Sequence, residues 1–95
     1  MKEWYYLSCK DVQEGVFPGE KQCYFLAYQG SELKPVTRAV PEGLVNEQLR
    51  TTQVIMSRRG ENESIIEVPI AGTKEKQRFI VPNEGLTRMI EEKAS

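Results

Sequence analysis

Residues 22–29 read Gln22-Cys23-Tyr24-Phe25-Leu26-Ala27-Tyr28-Gln29, a run without glycine or proline in which every position between the two glutamines is apolar or aromatic. A run of this length and composition is a β-strand. Side chains alternate across a strand, so Cys23, Phe25 and Ala27 share one face and Tyr24, Leu26 and Tyr28 the other. Both faces are hydrophobic and both need cover. Residues Lys2 to Cys9 repeat the pattern, with Trp4 and Tyr6 on one side and Tyr5 and Leu7 on the other. Phe17 adds a further ring between the two runs, which concentrates the aromatic residues in the N-terminal third of the chain.

Working outward, Asp11 to Lys21 carries Gly15, Pro18 and Gly19 and reads as a long loop between these two strands, which are expected to pair antiparallel. Leu33 to Val40 reads as an edge strand, because Pro35 cannot donate to a ladder. Pro41 to Leu49 has room for a helical turn or two. Thr51 to Arg58 and Ser64 to Ile70 form a hairpin across Gly60-Glu61, where glycine first suits a type II′ turn. That register sets Arg58 opposite Glu63 and Met56 opposite Ile65. Ala71 to Gln77 is a solvated connection, and Arg78 to Val81 a last short strand stopped by Pro82. Asn83 then stands as a helix N-cap, with Leu86, Met89 and Ile90 spaced as one apolar stripe. No internal repeat, low-complexity tract or linker is evident. The expectation is one domain over 1–95 in the mostly β (α+β) class: a small bent antiparallel sheet or partly open barrel of five to six strands with a C-terminal helix.

Composition narrows the chemistry. Thirteen basic residues against fourteen acidic ones leave a net charge of −1, which argues against binding to nucleic acid or membrane by bulk charge. Histidine is absent, which removes the commonest general base and metal ligand. No acidic metal loop or phosphate-cradling glycine loop is found, so no metal and no cofactor is expected, and a non-enzymatic role is. No stretch approaches the ~20 apolar residues of a membrane span, and residues 1–7 lack a signal peptide's apolar core. A cytoplasmic location is expected, with Cys9 and Cys23 as reduced, buried thiols and Asn62-Glu63-Ser64 as a chance sequon.

The surplus aromatic face is the functional lead. It points to a small protein-interaction module or self-associating subunit that uses Trp4, Tyr6, Tyr24 and Tyr28, with Arg58 and Arg59 at the rim. The partner is then another protein or a second copy of the chain, which edge pairing through Leu33–Val40 would also allow. The alternative is a small β-barrel that binds single-stranded nucleic acid, with rings stacking bases while Arg58, Arg59, Lys74, Lys76 and Arg78 track the backbone, joined by Arg38 and Arg50.

Overall fold

The computed structural model describes residues 2–89, which build nine strands and two 3₁₀ turns. The strands are β1 (Glu3–Ser8), β2 (Asp11–Glu14), β3 (Glu20–Gln29), β4 (Glu32–Pro41), β5 (Val45–Asn46), β6 (Thr51–Arg59), β7 (Glu63–Pro69), β8 (Lys76–Pro82) and β9 (Leu86–Arg88). The 3₁₀ turns, Glu42–Leu44 and Asn83–Gly85, follow β4 and β8. One antiparallel sheet has the order β8-β7-β6-β1-β9, with β5 also on β6; the other is β2-β3-β4. The chain is mostly β, as the alternating patterns require.

The core lies between the two sheets. Tyr5 and Leu7 of β1 meet Cys23, Phe25 and Ala27 of β3, together with Val36, Val40, Val54, Ile66, Val68 and Val81. Phe25 packs edge-to-face on Phe79 at 5.2 Å between ring centroids, tying β3 to β8. Burying each large apolar side chain contributes about 1.5–3 kcal/mol.

Four expectations need correction. The helix expected from Asn83 is a 3₁₀ turn followed by strand β9, while Ile90 and the residues after it lie outside the described residues. Asn83 does not cap a helix, because its side chain is spent as a cross-link. It accepts from Ser64 Oγ at 2.5 Å and donates to the Gly60 and Glu61 carbonyls. Leu86 then pairs with Leu7 on the open edge of β1. Second, β1 and β3 do not pair. The chain changes sheets at Cys9, whose N–H donates to Arg50 O, while the Lys10 N–H donates to Tyr24 O in the other sheet. Residues Asp11–Glu14, expected as loop, continue as β2 against β3. Third, a bulge between Met56 and Arg58 sets Arg58 opposite Ile65 and Met56 opposite Ile66, around a three-residue connection at 60–62.

The fourth correction is an internal repeat. Strands β1–β5 and β6–β9 follow one path, with β1–β2 matching the single bulged strand β6, β3 matching β7, β4 matching β8 and β5 matching β9. The pairings coincide. Glu14 faces Lys21 as Arg59 faces Ser64, and Lys21 faces Val40 as Ser64 faces Val81. Val45 faces Thr52 as Leu86 faces Leu7. The 3₁₀ turns share their capping geometry: Pro41 and Pro82 precede them at φ −60°, ψ 131° and φ −62°, ψ 140°. Each is anchored alike, by Glu42 N–H on Gly19 O and by Asn83 N–H on Asn62 O. Gly15 and Gly60 occupy matching corners, where an added Cβ would run into the backbone carbonyl of Glu20 or of Glu63. Each half ends by pairing with the first strand of the other, β5 on β6 and β9 on β1.

Candidate functional site

The six residues singled out from sequence do not form one surface. Trp4 and Tyr6 are half-buried on the outer face of the longer sheet, where Trp4 stands opposite the buried Ile55. Tyr24 and Tyr28 are half-buried on the outer face of the other sheet, and the core lies between the two pairs. The Tyr24 hydroxyl donates to Gln13 Oε1 at 3.4 Å. Arg58 and Arg59 are consecutive on β6 and point to opposite faces. Arg58 lines a shallow groove with Glu63, Ile65 and Ile80; Tyr28 lines a neighbouring one with Ile65, Arg78 and Ile80. Arg59 turns to the other side and donates to the Tyr5 hydroxyl at 2.9 Å.

The basic residues are interleaved with acid and with each other's partners. Glu67 pairs with Arg78 at 3.5 Å, and Arg38 lies over the Phe79 ring while its Nε donates to Gln77. β4 is an edge strand, with β3 as its single sheet neighbour.

A more concentrated feature is the β2–β3 connection, residues 15–19. Val16 is 77% exposed and Phe17 71%, the two most exposed large hydrophobic residues among those described. They stand beside a groove of about 490 Å³ whose lining includes Pro18, Ala39, Ala71 and Gly72. The loop is held, not frayed: Phe17 N–H donates to Glu20 Oε1 at 2.8 Å, and Gly15 N–H to Glu20 O. The matching connection in the second half is the shorter and wholly polar Gly60-Glu61-Asn62. The sequence carried a trace of this site, since Val16-Phe17 is an apolar pair inside a loop where turn composition should be polar.

Below that loop sits Lys21, 5% exposed, with its ammonium among three carboxylates: Glu14 at 2.5 Å, Glu47 at 3.1 Å and Glu42 at 3.9 Å. A buried charge needs partners of this kind. Hydrogen bonds from Lys21 to Glu14 first, then to Glu47, hold its pKa above the ordinary lysine value. The three carboxylates are exposed and share one ammonium, so the cluster carries excess negative charge.

Cys9 and Cys23 are free thiols; Cys23 is buried, and Cys9 half-buried on a pocket of about 240 Å³ with Leu26, Leu33 and Val81. Their side chains are neighbours, Cys9 at the crossing between the sheets and Cys23 on β3. The two thiols shift each other, Cys9 up and Cys23 down, while the Cys9 thiol donates to the Leu7 carbonyl at 3.6 Å. Thr52 Oγ1 is buried without a hydrogen-bond partner.

Among the described residues no helix is long and apolar enough to cross a membrane. The chain matches no family model, no curated protein and no solved structure, so the geometry alone supports a functional reading.

Proposed function

We propose that this domain is a non-enzymatic protein-interaction module whose contact surface centres on the Val16-Phe17 loop. The observation that carries this reading is the difference between the two halves at an otherwise matching corner. The first half adds an exposed apolar pair, beside an apolar groove, that the fold of the second half does without. A large aromatic held out in solvent on an ordered loop serves the folded monomer poorly and an interface well. Glu20 at the groove, and the excess negative charge of Glu14, Glu42 and Glu47 over Lys21, favour a partner segment that brings an apolar side chain flanked by lysine or arginine.

Selection from a displayed peptide library tests the reading. Wild-type protein should enrich apolar-basic segments, and Phe17→Ser should lose them while keeping its unfolding free energy within about 0.5 kcal/mol. Peptides that bind wild type and Phe17→Ser equally would remove the loop from the interface. Sedimentation of the free protein separates a foreign partner from a second copy, because a dimer broken by Phe17→Ser would identify the partner as the chain itself.

A further inference from the structure

The internal repeat assigns a counterpart to each member of the Lys21 cluster. Glu14 corresponds to Arg59 and Lys21 to Ser64 by strand pairing, Glu42 to Asn83 as the first residues of the two 3₁₀ turns, and Glu47 to Arg88 as the second residues after the matched Val45 and Leu86. In the first half a built-in cation fills the centre and carboxylates surround it. In the second half the centre is the short Ser64, and the surrounding charges are reversed to two arginines. Where the Lys21 side chain fills its site, the second half has a small pocket of about 90 Å³. The residues that decide its chemistry are Tyr5, Arg59, Ser64, Asn83 and Arg88.

We propose that this pocket binds a small oxyanion of the phosphate class, as free phosphate or as the terminal group of a phosphate monoester. Charge is the first argument. Lys21 has its counter-ions within the protein, whereas among the described residues Arg59 has no carboxylate partner, and Arg88 has Glu3 alone at 3.4 Å. The second argument is hydrogen-bond capacity. Arg59 spends one N–H on the Tyr5 oxygen and keeps the rest of its donor fork. Tyr5 is 4% exposed, and its hydroxyl, accepting from Arg59, retains its own proton to give. Ser64 and Asn83 are already committed to each other and to the Gly60–Glu61 backbone, so they form the floor and leave the arginines to bind. Guanidinium forks suit tetrahedral oxyanions in particular. Size is the third argument: the pocket has room for one phosphate group, so the rest of a monoester would lie outside it.

The test is a titration with sodium phosphate at constant ionic strength, followed by the amide NMR signals of Tyr5, Ser64 and Asn83. Saturable shifts at these positions are expected. Arg59→Gln and Arg88→Gln should each weaken binding about tenfold or more. Arg58→Gln, on the same strand with its side chain on the opposite face, should leave binding unchanged. All three arginines are exposed, so these variants should keep the wild-type spectrum elsewhere. Glu3→Gln, which removes the competing carboxylate, should bind at least as tightly as wild type. A parallel titration with glycerol phosphate distinguishes the sources, since tighter binding than inorganic phosphate identifies a monoester and equal binding the free ion. Shifts that never saturate, or equal losses from Arg58→Gln and Arg59→Gln, would overturn the proposal.

Discussion

The two halves of this chain share a path and not a chemistry. At matching corners one half buries an ammonium among carboxylates, and the other buries a serine hydroxyl between arginines. Their interiors agree more closely: Leu7 and Thr52, Cys23 and Ile66, Phe25 and Val68, and Val40 and Val81 are all buried. The difference shows which features the fold requires. Two inward rows on each hairpin, a glycine at the corner and a proline before the 3₁₀ turn suffice to repeat the path. Charge at the rim is then free to vary and to acquire a use.

The largest test of that comparison is in the core. Phe25→Ala should cost about 3–5 kcal/mol and Ile66→Ala about 2–5 kcal/mol in chemical denaturation. Because the halves interlock, both variants should move one shared unfolding transition; two separable transitions would break the comparison. At the matching polar corners the effects are smaller and differ in kind. Ser64→Ala leaves the Gly60 N–H and Asn83 Oδ1 without their partner and should cost about 1–3 kcal/mol, with no alkaline dependence. Lys21→Met should also destabilise, but the loss should depend on pH. The folded-state pKa of Lys21 is raised, so its contribution is fully present below the ordinary value of 10.5 and disappears as pH rises through the higher native value. Denaturation midpoints of wild type and Lys21→Met should therefore converge above pH 10.5. The smallest effect lies at the junction of the halves, where Arg50 holds φ at 53°. Arg50→Gly should raise stability by less than about 1 kcal/mol, measured as a shift in thermal midpoint.

The strands were legible because a period of two needs only local sequence. Alternation separates Tyr5-Leu7 from Trp4-Tyr6 and Cys23-Phe25-Ala27 from Tyr24-Tyr28, and the facing sheet decides that the first row of each pair turns inward. Strand β9 was not, since Leu86, Met89 and Ile90 fit a helical stripe equally well. The open edge of β1, eighty residues away in sequence, decides between them. The repeat is faintly present as Val40-Pro41-Glu42-Gly43-Leu44-Val45 against Val81-Pro82-Asn83-Glu84-Gly85-Leu86. The glycines stand one position apart, which blurs it: the structural match runs without a gap and aligns Val45 with Leu86 instead of glycine with glycine. The pocket at Tyr5, Arg59 and Arg88 brings together positions from both ends and the middle of the chain, so no local motif could announce it.

The exchange of final strands has a consequence for how this molecule can be taken apart. Neither half closes its own sheet, and what joins them is the exposed stretch from Glu47 to Arg50. Cleaving the chain there removes no strand pairing, so the two peptides have every contact needed to find each other and rebuild the fold. In its logic the domain is a two-fold pair of half-length units joined end to end, with a lysine at one copy of the corner and a serine at the other.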